Sequence, residues 1–376
     1  MNVLVTGGAG FIGSWLTESL LLDGHRVTIL DNLSPQVHGP SPHLDVPWLN
    51  ANRGVTLVRG DVRDVTLVDG LLAGTEAVVH LAAETGTGQS MYRIGHYYDV
   101  NVQATASLFE AIGTRHRHVR QVVLASSRSI YGEGAYSLHG ELVVPEPRDS
   151  KRMASGLWEP VGPNGETLAV VATPESAPPY PASVYAATKL ANEQLGRVFA
   201  DAYGISVIAL RFQNVYGERQ SLRNPYTGIL SIFSNRMRKN LPINIFEDGL
   251  ESRDFVHVSD VVRSIQLSMQ CASPGYRVFN IGSGVPTSVV SMARALALEL
   301  QSESEFQVSG DFRAGDIRHC YADLSRAEAQ LGFRPLMTLD QGLAAFCRWV
   351  VGQDAIEDRS EQAQSELSRL GLGRAG

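Results

Sequence analysis

Asn2-Val-Leu-Val-Thr6 runs directly into Gly7-Gly-Ala-Gly10-Phe-Ile-Gly13, and this stretch decides the fold. Apolar residues then recur at three- and four-residue spacings as far as Leu22, which predicts a helix. A second apolar run, Arg26-Val-Thr-Ile-Leu30, ends at Asp31. The order of strand, glycine-rich turn, helix, strand and terminal acid predicts a unit that binds a dinucleotide.

Each part of this unit has a task toward a dinucleotide. The three glycines permit the tight turn, the approach of backbone to a pyrophosphate, and the close packing of helix on strand. The helix N-terminus offers N–H groups and a positive dipole end to the phosphates. Asp31 can accept hydrogen bonds from an adenosine ribose and would repel a 2′-phosphate, so we expect NAD rather than NADP. The predicted contacts in this unit are Gly7, Gly10, Phe11, Ile12, Gly13, Asp31 and Asn32.

Composition is that of an ordinary globular protein. The chain has 376 residues, of which 44% are hydrophobic and 19% charged, enough to bury one large core or two. The net charge of −7 gives no support to nucleic-acid binding. No apolar run approaches the ~20 residues of a membrane span. Cys271, Cys320 and Cys347 show no metal-ligand or redox spacing, and no HExxH pattern occurs, so we predict no metal and a cytoplasmic location.

Further apolar runs alternate with helical patterns. Val55–Val58, Ala77–Leu81 and Gln121–Ala125 are predicted strands, with helices at Val65–Leu72 and Asn101–Ile112. This alternation predicts an α/β fold with a Rossmann-type, doubly wound parallel sheet.

The carboxyl ends of strands in such a sheet face the ligand. Asp61 and Val62 follow the third strand, and we expect them near the adenine. Leu81, Ala82 and Ala83 close the fourth strand, and we expect them near the pyrophosphate and the nicotinamide ribose.

The alternation breaks at residues 133–181, which are rich in glycine, proline and charge. A structureless loop of that length is uncommon, so we interpret the segment as an insertion over the active-site mouth. Trp158–Val161 and Thr167–Val171 flank a Gly-Pro-Asn-Gly turn and predict a hairpin.

We predict three parts of the chain. Residues 1–217 form an NAD-binding Rossmann domain that carries the insertion. Residues 218–353 form mainly a smaller C-terminal α/β substrate-binding region, from which Arg277–Ile281 returns to the sheet. Residues 354–376 are polar with a glycine-rich end, so we expect a flexible tail.

Tyr185 and Lys189 are four residues apart in a predicted helix and therefore share one face. An ammonium beside a phenol lowers the tyrosine pKa from its usual ~10, so the tyrosine can exchange a proton with a substrate hydroxyl. Such a pair is common by itself. Its weight comes from its place after Ser127, whose hydroxyl lies at a predicted strand end and can bridge the same substrate oxygen.

Together these motifs resemble the extended short-chain dehydrogenase/reductase superfamily, specifically its NAD-dependent nucleotide-sugar epimerase/dehydratase branch. The resemblance runs from residue 1 to about residue 350. The motifs that carry it are Thr6–Gly13, His80–Ala83, Ser126–Gly132, Tyr185–Lys189, Arg211–Gly217, Arg253–Asp260 and Arg313–Asp316.

The resemblance implies roles for individual residues. Ser127, Tyr185 and Lys189 would form the catalytic triad, supported by Asn101, and Ser126, Asn101, Tyr185 and Lys189 would also contact NAD. Asn214, Arg253 and Arg313 would hold the nucleotide phosphates, Asp316 the ribose, and Asn244 and Phe246 the base. A homodimer would form through the helices around Asn101–Ile112 and after Ser183. The remaining predicted substrate contacts are Glu84, Ser127, Asn224 and Cys320.

Departures from the family pattern refine the expected reaction. Dehydratases carry an Asp-Glu pair after the catalytic hydroxyl residue, whereas this chain has Arg128-Ser129, so we do not expect dehydration. Cys320 stands where galactose epimerases can carry a bulky tyrosine; it either enlarges the sugar pocket or is a small core residue. The segments Ser127–Gly134 and Arg219–Gly228 most resemble the dTDP-L-rhamnose 4-epimerase group.

We therefore expect NAD-dependent inversion at C4 of a nucleotide-linked hexose, a dTDP-6-deoxy-L-hexose, through a transient 4-keto sugar. Three alternatives stay open. They are an NAD(P)H-dependent nucleotide-sugar 4-ketoreductase, an epimerase acting on a UDP-hexose or UDP-hexuronate, and a non-catalytic NAD-binding protein.

Overall fold

The computed structural model describes residues 1–40, 54–224, 226, 228–312, 316–354, 365, 366, 369, 370 and 372. Its strands are β1 (Asn2–Thr6), β2 (Arg26–Asp31), β3 (Val55–Arg59), β4 (Ala77–His80), β5 (Gln121–Ser127), β6 (Tyr136–Leu138), β7 (Glu141–Val143), β8 (Ala169–Val170), β9 (Ser206–Phe212), β10 (Asn214–Tyr216), β11 (Ile243–Ile245), β12 (Ser252–His257), β13 (Gly275–Ile281), β14 (Pro286–Ser288), β15 (Phe306–Val308) and β16 (His319–Cys320).

Its α-helices are α1 (Phe11–Leu22), α2 (Pro35–His38), α3 (Val65–Leu72), α4 (Thr87–Ser90), α5 (Ile94–Tyr98), α6 (Ala104–Thr114), α7 (Ser150–Ala154), α8 (Val184–Tyr203), α9 (Ile229–Met237), α10 (Val258–Gln270), α11 (Val289–Leu300), α12 (Ser325–Leu331) and α13 (Leu339–Val351). A π-helical turn, Asp99–Gln103, precedes α6, and a 3₁₀ turn, Arg128–Tyr131, follows β5. Among the described helices, none combines the length and the apolar character needed to cross a membrane.

A parallel sheet forms the centre of the molecule, in the strand order β13-β9-β5-β4-β1-β2-β3. The chain reverses its direction of travel between β1 and β4, which is the switch point of a doubly wound sheet. This order confirms the predicted Rossmann-type fold. Strand β13 confirms the predicted return of the C-terminal half to the sheet, since Phe279 pairs with Leu210 of β9.

The first strand shows why these residues build a covered sheet. Val3 and Val5 pack into the core on the side of α1 and α10, whereas Leu4 packs on the opposite side with residues of α3, α6 and α8. A parallel strand covered on both faces needs apolar residues throughout. The predicted bounds of this first unit, including helix Phe11–Leu22, are confirmed.

The insertion has its own antiparallel sheet in the order β7-β6-β8. Val161 does pair with Thr167 across the predicted turn. The predicted hairpin is nevertheless wrong beyond that bridge, because Ala169–Val170 pairs with Tyr136–Leu138 instead of with the segment before the turn.

Buried ion pairs join the insertion to the C-terminal half. The Arg148 guanidinium lies 2.9 Å from Glu133 and 2.8 Å from Glu247. Arg318, which is 1% exposed, lies 2.7 Å from Glu159 and 2.7 Å from Asp248. The insertion is therefore held to the elements that follow β11.

Candidate active site

A cavity of about 500 Å³ opens at the carboxyl ends of the central strands. The predicted cofactor contacts that line it are Gly7, Gly10, Phe11, Ile12, Gly13, Asp31, Asn32, Asp61, Val62, Leu81, Ala82, Ala83, Ser126, Tyr185 and Lys189. The predicted substrate contacts that line it are Glu84, Ser127, Asn214 and Asn224. These side chains come from distant parts of the sequence, and the sheet brings them to one place.

The glycine-rich turn fits a dinucleotide because it has no room for side chains. Gly7 has a φ of +70°, and a Cβ there would lie 2.8 Å from the Ala82 nitrogen. A Cβ on Gly13 would lie 2.5 Å from the Gly8 Cα. The turn thus leaves backbone N–H groups and the α1 N-terminus facing the cavity, where a pyrophosphate would bind.

Two acids stand at the ends of β2 and β3. Asp31 accepts hydrogen bonds from the backbone N–H groups of Ala9 (3.0 Å) and Leu33 (2.9 Å), which fix its carboxylate at the cavity wall. The Arg63 side chain donates to Asp61 and lowers its pKa to about 2, so Asp61 is ionised at neutral pH. Both carboxylates can accept hydrogen bonds from an adenosine.

The first turn of α8 carries Tyr185. Ser183 caps this helix by accepting a hydrogen bond from Ala186 N at 3.2 Å, and Tyr185 N donates to Ser90 Oγ at 3.0 Å. Ser127 lies at the end of β5 and accepts a hydrogen bond from Ser129 N at 3.2 Å. Ser127 and Tyr185 both line the cavity, and Ser127 lowers the pKa of the Tyr185 phenol. The two groups can therefore bind one substrate oxygen together.

The pKa of Tyr185 departs from the sequence-based expectation. Burial raises the pKa of its phenol, while the Ser127 side chain and the positive charge of Arg128 lower it. The predicted lowering by Lys189 is not among these effects. The Lys189 ammonium donates to Ala125 O at 2.9 Å and lies 5.8 Å from the centroid of the Tyr185 ring. Burial lowers the pKa of Lys189 to about 8.

Asn101 is the predicted cofactor contact that does not line the cavity. Its side chain donates to Thr188 Oγ1 at 3.0 Å, and it accepts a hydrogen bond from Glu84 N at 2.8 Å. The amide therefore ties the segment after β4 to α8, and its predicted contact with NAD stays a prediction.

Several predicted substrate contacts are not among the residues that line the cavity. Asn244, Phe246, Arg253, Asp316 and Cys320 do not line the cavity, and Arg313 lies outside the described residues. The Arg253 guanidinium donates to Ser252 O (2.9 Å) and Arg318 O (3.0 Å) and lies 3.4 Å from Asp316. Cys320 is 1% exposed and packs in a small core cluster with Ile130 and Tyr131, which favours the core interpretation of this cysteine.

Sequence reasoning missed some lining residues. Arg128, Ser129, Gln213 and Gln220 all line the cavity. The sequence pattern marks Arg128 and Ser129 only through the acids that they replace. Gln213 lies inside the family motif Arg211–Gly217 and directly follows β9. A polar amide at the end of a buried strand is the signal that could have singled it out.

Comparisons with known proteins agree with this site. The model of the NAD dependent epimerase/dehydratase family matches residues 3–151 and 159–282. The chain is 39% identical over 352 residues to the dTDP-L-rhamnose 4-epimerase of Burkholderia thailandensis, covering 93% of this chain and 94% of that one. It is 34% identical to the UDP-glucose 4-epimerase of Mycolicibacterium smegmatis, covering 92% and 96%.

A solved structure extends the similarity to the fold. UDP-glucuronic acid 4-epimerase from Bacillus cereus, in complex with UDP-glucuronic acid and NAD, superposes with a TM-score of 0.76 at 26% identity, covering 93% of this chain and 99% of that one. The predicted family and the predicted NAD cofactor are thereby confirmed. This chain belongs to the NAD-dependent epimerase/dehydratase family.

Proposed function

We propose that this protein is a nucleotide-sugar 4-epimerase that inverts C4 of a dTDP-6-deoxy-L-hexose through a transient 4-keto sugar. One observation carries the proposal. Ser127 and Tyr185 line the same cavity, and the two residues after Ser127, Arg128 and Ser129, have no carboxylate. The 39% identity to a dTDP-L-rhamnose 4-epimerase supports the choice of sugar and of carbon.

In this mechanism the chain moves a proton and orients the sugar. When bound, NAD supplies the acceptance and return of a hydride. The Tyr185 oxygen, as the phenolate that Ser127 and the charge of Arg128 favour, removes the proton of the C4 hydroxyl and later returns it, while Ser127 donates a hydrogen bond to the same substrate oxygen. Lys189 donates a hydrogen bond to Ala125 O, which fixes its ammonium on the side of Tyr185 that would face the cofactor. Arg128-Ser129 offers no carboxylate to deprotonate carbon or to expel water.

The test is incubation of the purified protein with dTDP-L-rhamnose, UDP-glucose and UDP-glucuronate separately, in heavy water and without added cofactor. We expect dTDP-L-rhamnose to give its C4 epimer without solvent deuterium, because the migrating hydrogen stays on the enzyme. Deuterium at C3 or C5 would rule out this mechanism. If turnover required added NAD(P)H and proceeded in one direction only, this result would instead favour the ketoreductase.

Assembly is part of the proposal. The family resemblance leads us to propose a homodimer, and exposed apolar side chains support it, since Val198 on α8 is 63% exposed and Tyr98 on α5 is 43% exposed. Light scattering at micromolar concentration tests it, and a monomer would contradict it. We also propose a reducing cytoplasmic location, in keeping with unpaired Cys271, Cys320 and Cys347, which fractionation of the source cells would test.

A further inference from the structure

Several buried polar atoms without a protein partner belong to residues that line the cavity. Among the described residues, Arg128 Nη1, Ser129 Oγ, Asn214 Oδ1, Gln220 Oε1 and both amide atoms of Gln213 are buried and make no hydrogen bond. All five residues line the cavity, whereas the other atoms of this kind are scattered over the molecule. A buried donor or acceptor without a partner is costly and rare in folded proteins. These atoms therefore indicate where a polar ligand completes the site.

Of these residues, Arg128 is the most costly to leave without a hydrogen-bond partner, because its guanidinium is charged. It directly follows Ser127, and its charge acts on the phenol of Tyr185. Burial and the charge of Arg253 lower the pKa of Arg128, whereas Cys320 and Asp316 raise it. Arg128 is thus within electrostatic range of both the proton-transfer pair and the arginine expected to hold phosphate. In a nucleotide sugar, the hexose joins those two ends.

We propose that Arg128 binds the hexose ring, donating from its guanidinium to hydroxyl oxygens on neighbouring carbons, and so selects the sugar and positions it against Ser127. This inference rests on the proposed function. A guanidinium presents N–H groups in a planar fork that suits two adjacent acceptor oxygens, which a lysine or an amide cannot reproduce.

The surroundings favour a neutral hexose over a hexuronate as the occupant. Asp316 acts on the charge of Arg128 and lies 3.4 Å from Arg253, so a hexuronate carboxylate brought to Arg128 would also approach the Asp316 carboxylate. Nη1 lacks an acceptor oxygen. A sugar hydroxyl supplies that acceptor without bringing a second carboxylate toward Asp316.

The decisive experiment compares affinity for the nucleotide alone with affinity for the nucleotide sugar. Calorimetric titrations of the NAD-loaded enzyme would use dTDP and dTDP-L-rhamnose, with wild type, Arg128→Gln and Arg128→Lys. We expect Arg128→Gln to weaken dTDP-L-rhamnose binding by roughly 10–100-fold, the range for a lost charge-assisted hydrogen bond. Binding of dTDP should change by less than about 2-fold. Arg128→Lys should recover part of the loss.

Controls separate a sugar contact from a structural role. Arg115→Gln, at an exposed arginine paired with Asp69, should leave both affinities unchanged. Since Nη1 has no partner to lose among the described residues, Arg128→Gln should also keep its melting temperature and its NAD content. An equal loss of dTDP binding would make Arg128 a phosphate ligand, and a large loss of stability would make it structural; either overturns the proposal.

A parallel titration with UDP-glucose and UDP-glucuronate tests the neutral occupant. Each loss of affinity is expressed relative to the change in affinity for UDP alone. We expect Arg128→Gln to weaken the binding of UDP-glucose at least as much as the binding of UDP-glucuronate. A loss confined to UDP-glucuronate would overturn the neutral-hexose assignment. Wild-type turnover decides the proposed function, whereas these affinity ratios decide the role of Arg128, so the two can fail separately.

Discussion

The cofactor cavity and the contact between the insertion and the C-terminal half are built in different ways. The cofactor wall is made mostly of glycines and strand ends in the first 83 residues, so its shape follows largely from backbone geometry. The insertion contact depends instead on side chains paired over long sequence distances, such as Arg148 with Glu247 and Arg318 with Glu159. A wall built from backbone tolerates little change at its glycines, whereas a contact built from ion pairs depends on every partner being present.

Tyr185 and Ser127 line the cavity, and we expect the largest effect at Tyr185. Tyr185→Phe keeps the ring and removes the group that exchanges the proton, so kcat should fall by roughly 10²–10⁴-fold. Binding of NAD and of the nucleotide sugar should persist. Steady-state kinetics with a titration of dTDP-L-rhamnose would measure both. Near-normal turnover would remove Tyr185 from the mechanism.

The insertion contact should break at Arg148. Arg148→Met leaves Glu133 buried without its cation and Glu247 with Arg318 alone, 3.0 Å away. Removing one partner of a buried ion pair costs about 3–5 kcal/mol. We expect a large drop in the urea midpoint. The matched variant Arg115→Met removes an exposed pair with Asp69 and should stay close to wild type. Equal drops in the urea midpoint of the two variants would contradict this dependence of the insertion contact on its ion pairs.

The same difference explains what could be predicted from the sequence. The bounds of β1, α1 and β2 follow from local signals: an apolar run, a glycine turn and helical spacing. The pairing of Ala169–Val170 with Tyr136–Leu138 has no local signal, because its partners lie about thirty residues apart. The family motif marked Arg253, but its burial behind Ser252 and Arg318 depends on contacts that no short pattern encodes.

The cofactor wall should break at its glycines. A Cβ from Gly13→Ala would press on the Gly8 Cα, 2.5 Å away, and overpacking of this kind costs about 1–3 kcal/mol. We expect the purified variant to hold less NAD, measured by release on denaturation. Gly70→Ala is the control, since a Cβ there meets nothing within 4 Å. Full NAD content in Gly13→Ala would show that the turn adapts.

The last expected effect is a pH dependence at the insertion contact, and it is small near pH 4.5. Glu251 is buried, and its Oε2 has no hydrogen-bond partner among the described residues, although Arg318 lies 3.8 Å away. Burial raises the pKa of this carboxyl to about 7, with Glu247 and Asp316 adding to the rise. The folded state therefore holds the proton more tightly than the unfolded chain, so this contribution to stability is full below about pH 4.5 and is lost as pH rises through 7.

Glu251→Gln copies the protonated acid and removes this titration. The variant and the wild type should unfold at similar urea concentrations near pH 4.5, and the variant should be more stable by up to about 3 kcal/mol at pH 8. NAD content should be equal at both pH values, because Glu251 does not line the cofactor cavity. Urea titrations across this range provide the measurement. A difference between the two proteins that stays constant from pH 4.5 to pH 8 would mean that Glu251 is ionised in the folded protein, with Arg318 compensating its charge.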